Sequence, residues 1–159
     1  MSTHDKLFQE VEDMAVTAAN AEALMQRVAD RIHSVMARYN CVKFFVVDKT
    51  DASALLLGPF TGSFSPVPRI TFDQGLVGAA ASSGKTLVVN NVAADPRYLS
   101  ASELVKSEIV VPIFARGKLA AEISVGSYFA DTFAADADRN FVEACGGVIG
   151  KYLEKQLLS

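Results

Sequence analysis

The sequence predicts an α+β fold: a central, mostly antiparallel sheet of about six strands, with helices at both ends of the chain. Three observations carry this. The run Ile109-Val110-Val111-Pro112-Ile113-Phe114 is apolar on both alternations, as expected of a strand buried on both faces. Arg116-Gly117-Lys118 is a turn signal followed by a second strand over residues 119–127, so the pair reads as a hairpin. The two ends of the chain repeat apolar residues at helical spacing instead.

In chain order, Leu7, Val11, Met14 and Ala18 mark a helix over residues 5–19. Asn20 breaks it and caps a second helix carrying Leu24, Val28, Ile32, Val35 and Met36, which ends near Tyr39. His4 is placed in a frayed terminus. Residues 41–47 form a strand, 48–51 a turn and 54–57 its antiparallel partner, closed by Gly58-Pro59. Residues 60–68, with Gly62, Pro66 and Pro68, are expected to be irregular. A short strand over 69–72 leads to a short helix over 75–83, capped by Asp73 or Gln74 and ended by Gly84-Lys85, and then to a strand over 86–89.

Residues 90–106 are a long polar connection with a helical turn expected around 100–105, and a loop of this length commonly carries function. Pro112 cannot donate to a ladder, which places it at a bulge or where the neighbouring strand ends. Glu108 stands at the start of the buried strand, where a carboxylate needs a partner or a ligand. Asp131-Thr132 reads as the cap of a last helix running to about Leu158, with Phe141, Cys145, Val148 and Tyr152 on its apolar stripe. Gly146, Gly147 and Gly150 each cost about 1 kcal/mol relative to alanine in a helix interior. They let another helix approach closely, either from a second copy or from the N-terminal pair.

A length of 159 residues fits one domain with a sizeable core. Hydrophobic content of 50% and a mean hydropathy of +0.24 suit a tightly packed sheet and a buried oligomer surface, so a homodimer is expected. A net charge of −3 with scattered basic residues argues against nucleic acid and anionic membranes as partners. No apolar run approaches a membrane span, and the first ten residues are too polar for a secretory signal. Two cysteines do not make a disulfide scaffold, and a cytoplasmic protein with reduced thiols is expected.

Several motifs fail on their mechanics. Ala79 to Thr86 matches a relaxed phosphate-loop pattern, but the order is helix then strand, the reverse of what points backbone N–H groups at a phosphate. The two histidines and two cysteines lack metal-ligand spacing, so no metal and no cofactor is assigned. No serine sits in a nucleophile-elbow pattern. Cys41 shares a strand face with Lys43, which could favour a thiolate, but a buried inert cysteine is the expectation; Cys145 is read as packing.

Ser107-Glu108-Ile109-Val110-Val111-Pro112, with Leu57-Gly58-Pro59-Phe60 upstream and Gly75-Leu76-Val77-Gly78 between, resembles a GAF domain over residues 39–133. Within that family it is similar to the small single-domain enzymes that reduce free methionine-R-sulfoxide. The resemblance implies N- and C-terminal helices on one face of the sheet, and a short helix and a pocket loop on the other. The single domain then divides into 1–39 (N-terminal helices), 40–130 (sheet and pocket) and 131–159 (C-terminal helix).

The reductases attack the sulfoxide sulfur with a thiolate and then form a disulfide. At the three positions where the resemblance would place their cysteines this chain has Val67, Val77 and Ala101. Cys41 stands where they carry tryptophan, Phe45 where they carry tyrosine, and Ser124 and Gly126 where they carry aspartates; Glu108 is kept. The resemblance thus implies a less charged, more apolar pocket of Cys41, Phe45, Val67, Val77, Ala101, Glu108 and Ser124, with no catalytic residue assigned. Glu108 is read either as a ligand group or as a structural acid bonded to lid N–H groups.

The expected function is a stand-alone, non-catalytic GAF module that binds a small molecule and signals through a partner protein. The alternatives are a reductase-like redox enzyme, degenerate or using Cys41, and a ligand-free structural or partner-binding dimer.

Overall fold

The computed structural model describes residues 1–64, 67–99 and 102–157. Its order is α1 (Thr3–Thr17), α2 (Ala21–Val35), β1 (Cys41–Asp48), β2 (Asp51–Thr61), β3 (Arg69–Thr71), α3 (Gly75–Ser83), β4 (Leu87–Val89), a 3-10 turn (Val92–Ala94), β5 (Ser107–Ala115), β6 (Lys118–Ser127) and α4 (Asp136–Leu157). The six strands form one antiparallel sheet in the order β3-β2-β1-β6-β5-β4. No helix among the described residues is long and apolar enough to cross a membrane.

Alternation along the strands splits the interior into two cores. Val42, Phe44, Ile109, Val111, Ile113, Ile123 and Val125 face α1, α2 and α4. Cys41, Phe45, Leu55, Val89 and Val110 face α3 and the long connection, meeting Leu76, Val77, Ala80, Val92 and Val105. The expected division of the two faces is therefore present.

Element ends follow side-chain capping. Ser2 starts α1 with a reciprocal capping box to Asp5. Asn20 accepts from the Ala23 N–H and starts α2, as its sequence position suggests. The terminus is not frayed at His4: Nε2 lies 3.0 Å from Asp138 Oδ1, and the ring meets Phe141 edge-on. Asp138 also accepts from Tyr39 Oη at 2.6 Å, which ties α1, the α2–β1 connection and α4 together.

Three boundaries differ from the sequence reading. α2 ends at Val35, short of Tyr39, because Tyr39 turns into the core against Phe133 and Phe141. β2 runs on to Thr61, through Gly58 and Pro59. β3 pairs only with residues 54–56, so the outer edge at Pro59 is free, and a bulge opposite Phe44 absorbs the extra residue. α4 begins at Asp136 rather than beside Asp131-Thr132. Asp131 is left-handed (φ 61), which is not an N-cap conformation, and Phe133 is buried before the helix can start.

Pro112 lies two residues past Val110, the last residue of β5 paired with β4, so its missing N–H costs no bond to that neighbour. The turn expected around 100–105 falls partly on residues 100 and 101, which lie outside the described residues.

Candidate functional site

The site is on the α3 face of the sheet, where β1, β6 and β5 run side by side. Their register sets three cross-strand rows: Cys41–Gly126–Glu108, then Lys43–Ser124–Val110, then Phe45–Glu122–Pro112. Gly126 and Ser124 are small, so Lys43 reaches over β6 to Glu108, with Nζ 3.9 Å from Oε1. Both side chains are buried. Lys43 Nζ also sits 5.3 Å from the centroid of the Phe64 ring.

Burial pushes the Glu108 carboxyl up, and Lys43 and the nearby Ser124 hydroxyl only partly offset this. Glu108 thus has a charged partner from β1.

Above this floor is a cavity of about 20 Å³ lined by Lys43, Phe45, Val67, Ile70, Gly75, Leu76, Val77, Leu99 and Glu108. That is room for about one water molecule. Two half-exposed side chains stand at its rim, Val67 at 36% and Leu99 at 42%. Leu99 rests on Gly75, whose backbone is left-handed (φ 66); a Cβ there would come within 2.9 Å of Leu99 Cδ1. Only glycine admits both the conformation and the contact. A larger molecule does not fit this space as it stands.

The expected site residues divide as follows. Phe45, Val67, Val77 and Glu108 line the cavity. Cys41 and Ser124 share the same sheet face but lie below it, buried. Val105 covers the Cys41 row: a Cβ on Gly126 would meet Val105 Cγ2 at 3.3 Å and Cys41 Cβ at 3.5 Å. Ala101 lies outside the described residues.

Burial raises the Cys41 thiol despite Lys43 and Tyr128 pulling the other way. Cys145 is in the opposite core, beneath α4, its thiol pushed up to about 12 by burial. Both thiols are free.

Sequence reasoning missed Ile70, Leu76 and Leu99 as lining residues, and the ion-pairing role of Lys43. It also missed Glu122, which is wholly buried in the third row with neither carboxyl oxygen hydrogen-bonded among the described residues; burial pushes it up to about 9. A wider hollow of about 600 Å³ over Asn90, Asn91, Asp95 and Arg97 is a surface feature whose arginine pairs with Asp95 at 2.7 Å. Arg69 likewise pairs with Asp51 at 2.7 Å.

The family model described as GAF domain matches residues 18–154. The chain belongs to the GAF-domain family. The free methionine-R-sulfoxide reductase of Saccharomyces cerevisiae is 32% identical over 119 residues, covering 74% of this chain and 65% of that protein, just under two thirds of its length. The substrate complex of the free methionine-R-sulfoxide reductase from Neisseria meningitidis superposes with TM-score 0.88 at 26% identity, covering 97% of this chain and 91% of the other. A structure described as a putative GAF sensor protein from Burkholderia vietnamiensis superposes equally well, TM-score 0.88 at 27% identity, covering 98% and 96%. This GAF domain is therefore similar both to reductases and to a protein described as a sensor.

Proposed function

We propose that this GAF domain is a non-catalytic sensor that binds a small molecule in the cavity between α3, the 90–106 connection and the sheet. The observation that carries this reading is the state of its thiols. Sulfoxide reduction by this chemistry needs a thiolate at the substrate and a second thiol to resolve the intermediate. The pocket face holds one cysteine among the described residues, Cys41, which is buried with its thiol raised rather than lowered. Cys145 is across the sheet from it. What remains is a small, largely apolar cavity with one buried ion pair at its floor and the half-exposed Val67 and Leu99 at its rim. Ligand binding would then be reported through a second copy of the chain or a partner protein.

The reductase reading keeps one observation in its favour, the close superposition on an enzyme with bound substrate that resembles this chain at 26% identity. Two assays separate the readings. Thermal unfolding is followed with free methionine-R-sulfoxide, methionine, cyclic nucleotides and nitrate. A compound at 100 times its dissociation constant adds about 2.7 kcal/mol, a shift of several degrees for a domain of this size. Reduction of free methionine-R-sulfoxide with dithiothreitol is expected to stay at background. Turnover by the parent protein that disappears in Cys41→Ser would overturn the non-catalytic reading.

A further inference from the structure

Lys43 is buried, whereas every other lysine of the chain is exposed. It projects from β1 onto the pocket face and lines the cavity beside Phe45, Ile70, Leu76 and Val77. Its Nζ lies 3.9 Å from Glu108 Oε1, close enough for Coulomb attraction but too far for a hydrogen bond. The Phe64 ring attracts the same nitrogen from 5.3 Å. Neither contact fixes the amine through an N–H bond. Lysine ordinarily carries its charged end out to water. Enclosed by apolar side chains and set beside a carboxyl group, it is in the kind of environment where lysine attacks carbonyl carbon.

The surroundings narrow the ligand further. A cation entering the cavity would meet Lys43, and an anion would meet Glu108. A hydrocarbon would leave both polar groups unused. A neutral molecule with a carbonyl at one end and a short alkyl chain at the other meets neither charge unfavourably. Its chain would lie against Phe45, Ile70, Leu76 and Val77. The cavity of about 20 Å³ takes the carbonyl group, or the single water that its loss of oxygen would release.

Resting on the sensor reading above, we propose that Lys43 captures a short aliphatic aldehyde as a reversible Schiff base, with Glu108 carrying the proton. Glu108 takes a proton from the Nζ ammonium, which leaves a free amine and a carboxylic acid. The nitrogen lone pair adds to the carbonyl carbon, and the oxygen takes a proton from nitrogen to give a carbinolamine. Glu108 then returns its proton to that hydroxyl, the C–O bond breaks and water leaves. The product is a protonated imine facing a Glu108 carboxylate, so the charge of the pair is the same before and after. Burial, which raises the Glu108 carboxyl, favours its holding the proton between the two transfers. The alkyl chain passes out between the half-exposed Val67 and Leu99.

The test is competitive labelling of the purified native protein at pH 7 with less propanal than there are lysines. Borohydride then fixes each Schiff base as a propylated amine, and peptide mapping by mass spectrometry reads the occupancy of every lysine. Lys43 is expected to fill ahead of each exposed lysine by at least about tenfold, and to lose that lead in urea-unfolded protein. A lysine that is merely buried gives the reverse order. Glu108→Gln is expected to slow capture at Lys43 by about a hundredfold and to leave the exposed lysines unchanged. Occupancy of Lys43 in the native parent no higher than that of the exposed lysines overturns the proposal, whether or not the variant folds. A folded Glu108→Gln that captures propanal at Lys43 as fast as the parent also overturns it. A compound of the thermal-unfolding panel that binds while Lys43 holds no lead sinks the carbonyl chemistry and leaves the sensor reading standing.

Discussion

Glu122 is the residue with the largest consequence for pH. Its folded value is pushed up to about 9, against about 4.3 for an unfolded glutamate. Between these limits the folded chain keeps a proton that the unfolded chain releases. The stability this contributes is fully present below the unfolded value and is lost as pH rises through the folded one. Urea unfolding should therefore show stability falling from pH 6 to pH 8, by at most about 1.4 kcal/mol per pH unit from this group. Glu122→Gln should flatten the slope. Burial raises Glu108 in the same direction, with Lys43 opposing it. An undiminished slope in Glu122→Gln would show that the uncompensated charge lies elsewhere.

At the scale of elements, the three glycines of α4 do different work. Gly146 and Gly150 face the sheet, not the N-terminal helices. A Cβ at Gly150 would come 2.7 Å from the Phe114 carbonyl oxygen, so any side chain there pushes α4 off β5. Gly147 has nothing within 4 Å of a Cβ. Opposite outcomes follow for one chemical change. Gly150→Ala should cost about 1–3 kcal/mol, as overpacking does. Gly147→Ala should gain up to about 1 kcal/mol from helix propensity. Thermal unfolding of the two variants should move the midpoint in opposite directions; a stabilised Gly150→Ala would mean that α4 does not hold this close approach in solution.

At the scale of the molecule, the sheet is a partition. The helix face is apolar and ties both chain ends to the strands, while the α3 face carries the buried polar rows. Cys41 and Cys145 lie on opposite sides of it. A disulfide needs Cα atoms within about 7 Å and side chains that point together, which two residues across a covered sheet do not offer. Treatment of the native protein with diamide should therefore leave both thiols titratable after denaturation in monomer freed of oxidant. An intramolecular crosslink in the intact mass would contradict the partition and reopen the redox reading.

The sequence by itself determined the fold class, because a strand buried on both faces must be apolar on both alternations, and residues 109–114 are. It also determined the family, from three short motifs in order, and the Asn20 cap and the failure of the phosphate-loop pattern, which rest on residues close together in the chain. Only the tertiary structure decided which polar groups meet. Lys43 and Glu108 come from β1 and β5 and pair across β6 because Gly126 and Ser124 leave room. Asp131 looks like a helix cap until a left-handed backbone and the burial of Phe133 delay α4 to Asp136. Glu122 is of a residue type that is ordinarily exposed. It is buried instead because helices cover both faces of the sheet, and local alternation gives which residues share a face but not what lies above it.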